Sequence, residues 1–326
     1  MDETARIVFV GFAAPAAVGL VGGLLTLGPA RPPGASKLSP AEMLAWMDKP
    51  ARTGLLAGMG GTLTLVIGDL VSQYGIHGSV MWPQVSVQDR LRVLLVVLAV
   101  LGVLAAVVMK FMSGRGLLVW ALLLGAASAA VVLWPRLQPG SSGQTLPKVL
   151  AVAGFAAFVA AAAWPLNAMV RRGQRITSAV ILTGLGAAVG AAQTGTDSMV
   201  LGQFAFGVAA ICLGMLIAVV SRRGAAIDGA AAVVATSLLG GLAAAGHYFS
   251  DLPAWLAAGL ACVPLAGWAV GAIIGTRLRP ALRATVQIVV AAALAGACVA
   301  PGISSLANWQ KQTDPNDPYS GYGSKP

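Results

Sequence analysis

The amino-acid sequence predicts an all-α polytopic membrane protein of about ten transmembrane helices, with a candidate 5+5 inverted repeat. Three observations lead there. Charged residues make up 10% of the chain and hydrophobic ones 57%, whereas a soluble domain is roughly a quarter charged. Apolar runs of about 20 residues recur along nearly the whole length, the length that a bilayer core of about 30 Å requires. None of these runs shows the strict alternation of an outer-membrane strand, so their backbone polar groups must be satisfied within helices.

The spans are expected at 7–27, 54–74, 93–112, 117–134, 149–170, 176–194, 199–220, 225–246, 253–275 and 281–303. Span 1 is preceded by Asp2 and Glu3 rather than a basic leader, and it is longer than a typical signal-peptide core, so it is expected to be retained. Between spans 1 and 2, residues 28–53 begin as a Pro/Gly linker and then read "SPAE". There Ser39 can cap a helix, Pro40 fits its first turn and Glu42 completes a capping box. Met43, Leu44, Trp46 and Met47 follow with an apolar face, which reads as a short interfacial helix on a cytoplasmic loop. Glycines four residues apart mark expected helix–helix contacts: Gly19 and Gly23, Gly54 and Gly58, Gly186 and Gly190, Gly267 and Gly271. Spans 5 and 10 each carry a late proline, Pro165 and Pro301, at matching depth. Paired interruptions of that kind occur near the sites of inverted-repeat transporters. The bundle is expected to fill residues 1–304, with 305–326, rich in Pro, Gly, Asp and Ser, as a disordered polar tail.

Basic residues orient the chain. With the first residue outside, the loops after spans 1, 3, 5, 7 and 9 carry 14 of the 21 Lys and Arg, and the bias is consistent from loop to loop. The expectation is a bacterial inner (plasma) membrane protein with both termini outside. The net charge of +10 is then a topology signal and an attraction to anionic lipid, not a nucleic-acid surface. The expected partners are the lipid bilayer, a small solute or other membrane subunits, with no nucleic acid. Trp134, Trp255 and Trp309 fall at the outer boundary and Trp120 near the inner one, as an aromatic belt would. Trp268 lies deeper, either stacking a substrate or filling space.

No named catalytic constellation is present. Cys212, Cys262 and Cys298 each fall inside a span, with no CxxC or Cys/His spacing, and His77 and His247 are far apart at span ends. No catalytic residue, metal site or cofactor is expected. Asp69 is the one acid well inside a span, and intramembrane acids are costly and usually functional. Counted from Tyr74 at 1.5 Å per residue, it lies about 8 Å below the outer end, within reach of headgroups or of Arg90 and Arg92. Asp69, Gln73, Asn167, Gln203 and Gln287 are the candidate transport or ion-site residues; interhelical hydrogen bonding is the competing use of the amides.

Residues 49–73, "KPARTGLLAGMGGTLTLVIGDLVSQ", resemble the first-span motif of a family of small channel-like proteins of organelle membranes. The matching positions are Pro50, Arg52, Thr53, Gly68, Asp69 and Gln73, with Asp89 to Arg92 as a following element. The resemblance covers under a tenth of the chain. The proline-to-aspartate spacing is about one helical turn longer here, and that family has four spans. The function read from the sequence is therefore a secondary transporter or permease of a small solute. The alternative is a non-catalytic membrane subunit or scaffold of a larger complex, favoured by the scarcity of buried polar groups.

Overall fold

The computed structural model describes residues 9–26, 60, 62–70, 87–109, 114–137, 145–196, 198–221, 227, 229–274 and 278–312. Of these, 94% are helical and none is in a strand. Among the described residues, 7 helices are long and apolar enough to cross a membrane, and two shorter apolar helices span Gly11–Leu25 and Val93–Val108. The chain is a multi-pass helical membrane protein.

A five-residue π-helix, Phe9–Ala13, leads into α1, Ala14–Thr26. Pro15 lies just past the junction; it has no N–H to donate, and the widened turn precedes it. Helix α2 comprises residues 62–70. The others are α3 Val87–Met109, α4 Gly114–Leu137, α5 Thr145–Arg171, α6 Arg175–Thr194, α7 Met199–Ser221, α8 Gly229–Phe249, α9 Ala254–Ile274 and α10 Pro280–Gln312. The interfacial helix expected within 28–53 lies outside the described residues, as do 313–326 of the expected tail.

Helix α8 is the axis of the bundle. It packs against α3, α4, α5, α6, α7 and α9, and every residue from Gly229 to Gly246 is buried. Its sequence, "GAAAVVATSLLGGLAAAGHYF", explains why. A helix apolar all round is buried all round, and in lipid close approach of backbones holds helices together, which small side chains permit. Side chains of the neighbours fill the notches: Phe158 and Val159 of α5 at Gly240, Leu94 of α3 at Gly241, Gln193 of α6 at Gly246. Helix α1 lies outside this ring against α7, and α10 lies outside it against α6 and α9.

Several expected glycine contacts are present. Gly19 faces the backbone of Ile211, so α1 and α7 meet almost main chain to main chain, with Gly214 against Ala16 and Leu20 in the same crossing. Gly186 and Gly190 receive Ala209 and Phe206 of α7. The prolines at 165 and 301 do not end their helices: α5 and α10 run through both.

The α5–α6 connection follows from "RRGQR". Gly173 adopts φ +77, its N–H donates to the Val170 carbonyl at 3.0 Å, and the Gln174 N–H donates to the Met169 carbonyl at 2.9 Å. This is a Schellman C-cap, which calls for glycine at the left-handed position. Ser178 then ties the two helices by donating to the Leu166 carbonyl at 3.0 Å. After α8, Asp251 takes φ 55, a conformation an aspartate tolerates, and the Leu252 carbonyl lies 2.7 Å from His247 Nδ1.

Candidate functional site

Within 62–70, Leu63 and Ile67 are exposed, four residues apart on the outward side. Thr62, Leu65, Val66 and Asp69 form the opposite stripe, with the i, i+3, i+4, i+7 spacing of a single helix face, and all are buried. Thr62 (0% exposed) meets Gly102 of α3 beside Val234 of α8. Asp69 (2% exposed) lies two turns further along that stripe.

The depth of Asp69 differs from the expectation. Thr64 of α2 sits against Gly22, and the neighbour of Asp69, Gly68, faces Val18 of α1 and Ile211 of α7. Ile211 is midway along Met199–Ser221, and Val18 midway along the first helical segment. Asp69, the next residue along α2, is therefore level with the middle of α7. Distance from Tyr74 along the chain misjudged the depth, because crossing points, not loop positions, fix it.

The other candidate residues disperse. Gln203 is half-buried on α7, two turns from Ile211, and Asn167 is half-buried on α5. Gln287 (0% exposed) belongs to another corner: its Nε2 donates to the Gly267 carbonyl of α9 at 3.1 Å and to Gln174 Oε1 at 3.3 Å. Gln73 lies outside the described residues. Asp69 and Gln287 thus lie in different parts of the bundle, the first on α2, the second between α9, α10 and the α5–α6 turn.

The structure adds hydroxyls that the sequence reading passed over, those of Ser128, Thr236 and Ser237. Ser237 of α8, one turn from Val234, is fully buried, and neither its hydroxyl nor that of Thr62 has a partner among the described residues. Thr236 returns its hydroxyl to the Ala232 carbonyl at 2.9 Å, and Ser128 to Leu124 at 2.7 Å, as intrahelical bonds that leave no group for a ligand. A hydroxyl in an Ala/Gly-rich span was the available signal for Ser237. Gln193 (0% exposed) donates to the Leu242 carbonyl at 2.8 Å. Trp268 packs edge-on against Trp164, with ring centroids 4.7 Å apart, and lies beneath the Arg172 guanidinium at 5.4 Å. No group of metal-ligating side chains occurs among the described residues. Chemically, α2 and α8 offer one buried carboxylate and two buried hydroxyls, oxygen groups of the kind that can take a proton or a cation.

No family model, curated protein or solved structure matches this chain.

Proposed function

We propose that the protein is a secondary transporter or permease of a small solute, with Asp69 as its proton or cation site. The observation that carries this reading is the placement of a buried acid level with the middle of α7, on the face it shares with Thr62. A carboxylate there is costly unless it takes part in a charge-compensating event, and ion or proton coupling is the usual reason to keep one. Proteoliposome uptake tests the reading. Asp69→Asn preserves shape and hydrogen bonding while removing the charge, and uptake should fall to background with the fold intact. Wild-type uptake in that variant would end the assignment.

The proposed topology is ten spans with both termini outside, in a bacterial inner membrane. A 5+5 inverted repeat is supported by Pro165 of α5 and Pro301 of α10, which lie at similar distances from the starts of their helices. Each of these helices also packs on the one before it, α5 on α4 and α10 on α9. At the centre α8 has the axial place, and its counterpart α3 packs against α2, α4 and α8.

A second reading, a subunit of a larger membrane complex, draws on a different observation. Gly154, Gly184 and Gly296 are exposed with nothing near the missing Cβ, and bare glycines on outer faces suit helices from another chain. Purification in mild detergent separates the two readings. A stable stoichiometric partner supports the subunit, whereas a single polypeptide that retains uptake supports the transporter.

A further inference from the structure

Two basic clusters that are distant in sequence meet at one corner of the bundle. Arg171, Arg172 and Arg175 surround the Schellman turn at Gly173. Arg279 and Arg283 open α10, joined by the bond from the Arg283 N–H to the Arg279 carbonyl at 3.0 Å. With Gln287 they form an i, i+4, i+8 line, so the three share one face of that helix. The hydrogen bond from Gln287 to Gln174, 3.3 Å long, pins that face to the turn. Gln287 is held in place by Gly271, where a Cβ would overlap its amide. The arginine-bearing start of α10 is therefore tied to the arginine-bearing turn through Gln287.

None of α5, α6, α9 or α10 contains an aspartate or glutamate. An anion at a low-dielectric boundary is attracted to basic side chains gathered there. Arg172 is preoriented by its stack on Trp268 at 5.4 Å, itself braced by Trp164. Arg171, Arg172 and Arg279 are exposed at the surface of the corner. Arginine forks match phosphate oxygens bidentately, and basic pockets between membrane helices bind phospholipid headgroups.

We infer that this corner is a binding site for a phosphate group, in the first place that of an anionic phospholipid. The site is separate from Asp69 and does not depend on the transport reading. The test uses the full chain in dodecyl maltoside, titrated with phosphatidylglycerol, phosphatidylcholine or inorganic phosphate while its melting temperature is followed. Phosphatidylglycerol should raise the melting temperature saturably and phosphatidylcholine should not. Arg279→Gln should weaken the apparent affinity about fivefold, since each basic residue at a membrane surface is worth roughly that factor. Arg172→Lys, which keeps the charge without the stack, should fall between Arg172→Gln and wild type. Arg279 is exposed, so its variant keeps the test informative if Arg172→Gln fails to fold. Stabilisation by inorganic phosphate at comparable concentration would support the site and make its ligand a free anion. The inference is overturned if phosphatidylcholine stabilises as well as phosphatidylglycerol. It is equally overturned if replacing Arg222 and Arg223, which follow α7 in the sequence, weakens binding as much as the corner variants do.

Discussion

Gln193 and Gln287 use one device twice. Each is fully buried, and each donates its amide to a carbonyl on a neighbouring helix, Leu242 for the first and Gly267 for the second. In both cases the residue four further along the accepting helix is glycine, Gly246 and Gly271, and a Cβ there would overlap the glutamine side chain. A helical carbonyl already accepts the N–H four residues ahead, so its second lone pair is reachable only where that residue has no side chain in the way. Gly246→Leu and Gly271→Leu should therefore each destabilise by about 1–3 kcal/mol, the cost of overpacking a tight core. Gly154→Ala, with open space around it, should stay within about 0.5 kcal/mol or gain slightly from better helix propensity. Melting curves in one detergent would rank the three. The sequence displayed these glycines and the glutamines, and the spacing rule marked Gly267 and Gly271 as contacts. It could not show that the partner at Gly271 is an amide. Asp69 was equally visible as a lone acid, but its depth depended on where α1 and α7 cross α2, and no single-span count contains that.

At the scale of the helix, α8 and α10 are opposites drawn from nearly the same alphabet. Both are alanine-rich, yet α8 is buried on every side while α10 turns much of its length outward. Apolar runs announced both as spans. Their places in the bundle were not legible, because lipid and a packed helix surface are both apolar and a hydrophobic run does not distinguish them. The distinguishing trait is the density of Gly and Ala, 11 of the 18 residues from Gly229 to Gly246. Ala244 is buried in α8 and Ala293 exposed on α10. Ala244→Leu should cost about 1–3 kcal/mol and Ala293→Leu should stay within about 0.5 kcal/mol, again read from melting in detergent. Equal effects would contradict the axial position of α8. The Schellman turn at Gly173 belongs to this scale too, and "RRGQR" carried it openly: a glycine after a basic last turn is a common helix end.

For the molecule as a whole, orientation rests on the distribution of arginine and lysine. Reporters fused after Arg172 and Arg223 should read as cytoplasmic and one fused to the last residue as external; a cytoplasmic signal from the tail fusion would reverse the proposed topology. The encasement of α8 also sets an order of assembly. During synthesis α3 to α7 enter the membrane before α8, and the groove they leave is walled by Leu94, Val132, Val159 and Gln193. A helix with no lipid-facing residue between Gly229 and Gly246 gains little from lying in the bilayer alone and much from entering that groove. The chain thus carries its own receptor for its eighth helix. A fragment ending at Ser221 and one starting near Asp228, made as separate polypeptides in the same cell, should find each other and restore a protease-resistant bundle, while each fragment alone is degraded.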